Sequence, residues 1–167
     1  MARRRRRSPT VGALRAVPAA EWPDICAATA VAAAVEVGLR AVTLPRLARV
    51  LGTPMNLSSA GTSSAERASL TRRDRRRAWA ADRVLRHWPF GDTCLRRALV
   101  LGWLLRHRSP VLRVGVAKVD GEVRAHAWLV IDGRSLDPTG AASFAPLRLA
   151  GAEPRGGQPR PPLPRPL

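Results

Sequence analysis

At Pro110 the hydrophobic period of this chain changes from about 3.6 residues to about 2. The periodic segments before that point repeat like amphipathic helices, and those after it alternate like half-buried strands. Val111 to Val119 alternates, Asp120-Gly121 is a strong hairpin turn, and Val123 to Ile131 alternates again. Asp132-Gly133 is a second such turn, and Arg134 to Leu136 starts a third strand. Helices first and an antiparallel meander after them predict an α+β fold.

The helical part begins with Trp22 to Arg40, with Pro23 or Asp24 near its start and Gly38 near its end. Leu44 to Leu51 is a short amphipathic helix that Gly52 ends, and Thr53 to Ser64 reads as a polar loop. Ser64 is the expected cap of a helix from Ala65 to about His87, stopped by Pro89. After the turn at Gly91-Asp92-Thr93, Cys94 to about His107 is a further helix. Its buried stripe is Leu95, Ala98, Leu99, Gly102 and Leu105. The expected architecture is N-terminal helices followed by a helix packed on a small antiparallel β-meander.

A chain of 167 residues, 46% of them hydrophobic, is enough for one domain with a core. We place it at 21–150, with 21–88 its helical part and 89–150 its chemical core. Residues 1–20 read as a disordered basic tail and 151–167 as a Pro-rich tail. The formal charge of +17 invites a nucleic-acid partner, yet among 29 basic side chains only Lys118 is a lysine. That skew, with abundant Ala and Pro, resembles codon bias more than selection for phosphate contacts. The interleaved aromatics of a single-strand binder are also missing around Arg72 to Arg77, so no nucleic-acid partner is expected.

Cys26 and Cys94 are too few for a disulfide framework, and neither they nor His87, His107 and His126 have metal-ligand spacing. A reducing, cytoplasmic compartment and no metal are expected. Pro9, Pro18 and Pro23 separate the run Arg3 to Arg7 from the apolar stretch Ile25 to Val35, which argues against a signal peptide. Asp24 and Glu36 bracket that stretch too closely for a membrane span, so a buried helix is expected; peripheral membrane contact through the arginines stays open.

A thiol at a helix start, an imidazole on a strand and a carboxylate after the next turn are the parts of an activated-thiol acyl-transfer site. Cys94 in the first helical turn lies at the positive end of the dipole, which favours the thiolate nucleophile. Its backbone N–H is an orphan donor able to face an oxyanion. Cys26, inside an Ala-rich helix, is expected to be a small buried hydrophobe. With tight turns, His126 lies opposite Gly115, and Asp137 lies opposite Trp128. His126 and Asp137 then become diagonal neighbours, within reach of a carboxylate–imidazole hydrogen bond. Val123, Ala125, Ala127, Leu129 and Ile131 form the other, apolar face of that strand. Asp120 and Asp132 are better used in their turns, and Asp92 as a helix cap. Trp128 either walls the site, supplies an indole N–H or packs the core.

The order Cys at a helix start, His-x-Trp on a strand, then Asp137-Pro138-Thr139 resembles the transglutaminase-like cysteine superfamily. Within it, Cys94-Leu95-Arg96-Arg97-Ala98-Leu99, Trp103-Leu104-Leu105-Arg106 and Ala125-His126-Ala127-Trp128 followed by Asp132-Gly133-Arg134 are similar to the stand-alone leader peptidases of lasso-peptide biosynthesis. The resemblance implies a transglutaminase/papain-like core and a cysteine protease that cuts the leader from a ribosomally made precursor peptide. Cys94 would be nucleophile, His126 general base then acid, and Asp137 the orienting carboxylate. It further implies a separate leader-binding protein and an ATP-using macrolactam synthetase as partners, and no cofactor. Two other readings stay open: an amide transferase with the same triad, and a basic binding protein without catalysis.

Overall fold

In the computed structural model, residues 18–56, 64–119, 122–137 and 144–146 are described. The chain runs through helix α1 (Trp22–Ala41), α2 (Leu44–Val50), strand β1 (Ser64–Arg67), α3 (Arg72–Leu85), α4 (Cys94–Leu104), then β2 (Val111–Val119), β3 (Glu122–Ile131), β4 (Arg134–Ser135) and β5 (Ala145–Pro146). Single turns of 3-10 helix precede α1 at Ala19–Glu21 and follow α4 at Arg106–Arg108. The fold is α+β.

The sheet order is β1-β4-β3-β2-β5. The hairpin β2–β3 is the longest antiparallel pairing, and its register places Gly115 opposite His126. Asp132 and Gly133, at φ 51° and 74°, make the tight turn into β4, where Val130 faces Ser135 and Ile131 faces Arg134. Positive φ at both central residues matches the twist of the flanking strands, which is why Asp-Gly is favoured there. The first turn, Asp120-Gly121, lies outside the described residues, as do both chain ends through residue 17 and from 147 onward, positions 57–63, and 138–143 with Pro138 and Thr139.

The helices cover one face of the sheet. Ala28, Val31, Ala32 and Val35 of α1, Ala80, Ala81 and Leu85 of α3, and Ala98, Leu99 and Val100 of α4 join Leu112, Ala127 and Leu129 of the hairpin in one core. Gly102 lets α4 approach the segment after α2: a β-carbon there would sit 2.1 Å from Thr53 Cγ2. The apolar row of β3 is buried only from Ala127 onward, and Val123 is 77% exposed. Alternation marks which face a side chain takes; coverage depends on how far the helices reach.

The region between α2 and α3 departs most from expectation. Ser64 does not cap a helix from Ala65. Ser64–Arg67 instead pairs in parallel with β4, and Ala68 N donates to Ser135 O at 2.8 Å. The cap is Thr71: its hydroxyl accepts from Asp74 N, and Thr71 N donates to Asp74 Oδ2, both at 3.2 Å. This reciprocal box satisfies two helix-end donors, so α3 starts seven residues later than the capping position Ser64 suggests. Asp74 is fully buried and also meets His107 Nε2 at 3.0 Å and Arg108 Nη1 at 3.1 Å. Burial pushes its pKa up, but the Thr71 hydrogen bonds and the charges of His107 and Arg108 outweigh that and hold it below the usual range.

Candidate active site

Cys94 is the first residue of α4, and the side chain of the preceding Thr93 caps the helix by accepting from Arg96 N at 3.3 Å. Asp92 is therefore not the cap; its carboxylate pairs with Arg97, which also bonds Asp82 at 2.8 Å. Those pairs raise the Arg97 pKa, the Asp92 hydrogen bond most of all. A second brace comes from α1. Glu36, 4% exposed, accepts from Arg96 Nε at 2.7 Å and Nη2 at 3.2 Å. The Arg96 hydrogen bond holds the Glu36 carboxyl below its ordinary value. The turn that carries the thiol is thus tied to α1, to α3 and to its own approach loop.

On β3, His126 lies between two rings. Trp128 stacks at 5.9 Å between centroids and 15° between planes, and Phe144 lies at 5.0 Å. His126 Nε2 is 2.9 Å from Asp137 Oδ2. A carboxylate only accepts, so Nε2 donates in this bond, and Nδ1 is the nitrogen left to exchange a proton. Asp137 is set by the continued ladder, Leu136 N donating to Leu129 O at 2.9 Å, and by its own N–H, which donates to Ser135 Oγ at 3.0 Å. Ser135 is fully buried. The other candidate carboxylate, Asp132, is 2.8 Å from Arg108 Nη2 and takes no part in this pair.

Cys94, His126 and Asp137 line one open cavity of about 460 Å³, with Arg97, Trp128 and Leu101 among its other walls. Cys94 is half-buried, packed against the core on one side, and among the described residues its sulfur has no hydrogen-bond partner. Trp128 is 2% exposed, and its indole N–H is buried without an acceptor among the described residues. An unsatisfied buried donor costs roughly 1–3 kcal/mol, and Trp128 belongs to the set of residues that walls the cavity. Cys26 is exposed on α1, contrary to its expected burial, because the helix turns Ala28, Val31 and Ala32 inward instead. Among the described residues no three His, Cys, Asp or Glu side chains gather as a metal site.

Three contributors escape the sequence reading: Ser135, Phe144 and the Glu36–Arg96 pair. Only Glu36 leaves a trace there, as a lone carboxylate between Val35 and Val37 in an apolar helix. A family model of the transglutaminase-like superfamily matches residues 31–149. The chain belongs to the transglutaminase-like superfamily. No curated protein and no solved structure matches it. The α4–hairpin unit is accordingly a transglutaminase-like core, and membership supports a generic cysteine-peptidase or transglutaminase-like activity.

Proposed function

We propose that this protein is a cysteine peptidase that removes the leader from a lasso-peptide precursor through a thioester acyl-enzyme. The observation that carries the reading is His126 bonded to Asp137 on the wall of the cavity that Cys94 enters from the start of α4. The sequence motifs around these residues narrow thiol acyl transfer to leader removal.

In the proposed cycle, His126 Nδ1 takes the Cys94 proton and sulfur attacks the scissile carbonyl carbon. The Cys94 N–H and the Trp128 indole N–H receive the oxyanion. The imidazolium, held by Asp137, returns its proton to the departing amine, and the C–N bond breaks to leave a thioester. Water, deprotonated by the same nitrogen, adds to the thioester; collapse frees the leader carboxylate and restores the thiol. The cycle calls on no metal or cofactor. A separate leader-binding protein would deliver the precursor and an ATP-using macrolactam synthetase would take the freed core, all in the reducing cytoplasm.

Incubating the purified chain with precursor peptide and leader-binding protein, read by mass spectrometry, tests this. Leader ending in a free carboxylate is the expected product, with or without an added primary amine. An amide in its place would shift the reading to transamidation, and undiminished cleavage by Cys94→Ala would remove the mechanism.

A further inference from the structure

A helix that is apolar all round is normally covered all round, and α1 is covered on one side only. Its inward arc, Ala28, Val31, Ala32, Val35 and Glu36, is buried. Its outward arc holds Trp22, Cys26, Ala30, Ala33 and Val37, all exposed. At 100° per residue these five form one stripe that runs the length of the helix, about 30 Å. Trp22 is 42% exposed and Val37 66%; Val42, just past the helix, is 45% exposed, and Val50 on α2 is 82%.

The exposed charges around the stripe are basic, with Glu21 half-buried at its N-terminal end. The stripe carries no carboxylate, Glu36 is turned inward onto Arg96, and Asp24 is paired with Arg76. Arg40, half-exposed and also paired with Glu36 at 2.6 Å, closes its C-terminal end, and Arg46 and Arg49 are exposed on α2. The run Arg3 to Arg7 precedes it in sequence. A partner that satisfies both features must bring apolar contact and dense negative charge in one plane. An anionic bilayer does so, with acyl chains for Val and Trp and phosphates for Arg.

By length and composition alone Ala19–Ala41 could also cross a membrane, even though Asp24 and Glu36 lie within it. Crossing would strip Glu36 from Arg96 and pull α1 out of the core, so the stripe fits lying on the bilayer instead. We infer that the outer face of α1, with the arginines of α1 and α2, docks this protein peripherally on anionic membranes. The inference does not depend on the peptidase reading.

Co-sedimentation of the full chain with phosphatidylcholine vesicles, with and without phosphatidylglycerol, tests it at near-physiological salt. Binding to the phosphatidylglycerol vesicles alone is expected. The triple variant Trp22→Gln, Val37→Gln, Val42→Gln keeps the net charge and should partition at least about tenfold less, since three apolar side chains no longer enter the bilayer. Circular dichroism establishes that the variant is folded; should it not be, Val37→Gln alone is read, with a smaller but measurable loss expected. Binding by the folded variants equal to that of the parent would overturn the inference, because arginine charge alone would then suffice. Self-association of the parent that the same substitutions abolish, without vesicle binding, would also overturn it and make the face a contact between copies.

Discussion

Glu36 in the C-terminal half of α1 holds Arg96 through its Nε and Nη2, two residues beyond Cys94. The Glu36 carboxyl is held below its ordinary value of 4.5, and Asp74 is likewise held below 3.8. A depressed carboxyl stabilises the fold fully above its unfolded value, and that contribution disappears as pH falls through the folded one. The melting temperature is therefore expected to drop as pH falls from neutral through the carboxylate range. Glu36→Gln should melt lower at neutral pH and show a shallower acid slope, with Asp74 supplying the remainder. A slope identical to that of the parent would mean the pair contributes nothing.

The two thiols are expected to separate cleanly. Cys94→Ala should lose cleavage while keeping its circular dichroism spectrum, and Cys26→Ala should keep both. Alkylation by iodoacetamide should label Cys26 as well, since it is exposed. Peptide mapping must therefore show that loss of activity follows modification of Cys94 and not of Cys26.

The carboxylate assignment is tested by a pair of variants. Asp137→Asn should lower kcat by about 10²–10⁴-fold, because the amide lacks the charge that holds the imidazolium and can donate to the ring, fixing the wrong tautomer. Asp132→Asn should change kcat by less than about threefold, since that group faces Arg108. Ser135→Ala removes the acceptor of the Asp137 N–H and should cost about tenfold in kcat, a single hydrogen bond's worth. Equal losses from Asp132→Asn and Asp137→Asn would reverse the assignment.

Trp128→Phe keeps a ring beside His126 and deletes the buried N–H that lacks an acceptor among the described residues. With that N–H on the oxyanion, kcat should fall by about 10–10²-fold while KM moves little. Unchanged kcat would reduce Trp128 to a wall.

Thr71→Ala should cost about 1 kcal/mol in urea unfolding, since the hydroxyl caps α3. Ser64→Ala should show no such capping loss. The opposite result would restore the longer helix.

The hairpin and the His126–Asp137 approach were legible because two-residue turns and period-two alternation leave a single register, and register decides which side chains are diagonal neighbours. The start of α3 was not, since Ser64-Ala65-Glu66-Arg67 has helical propensity, and only the distant edge of β4 makes it a strand. Cys26 was misplaced because an Ala-rich helix has no polar face to mark its outside. Glu36 and Arg96 lie sixty positions apart, and nothing in local sequence announces their meeting.

The parallel pairing of Ser64–Arg67 with β4 has a bearing on any shortened form of the protein. A version beginning at Arg72 would keep Cys94, His126 and Asp137 but strip the neighbour from β4, uncovering its backbone amides and carbonyls. Bare β-edges recruit other chains, so such a truncation is headed for aggregates instead of a minimal enzyme.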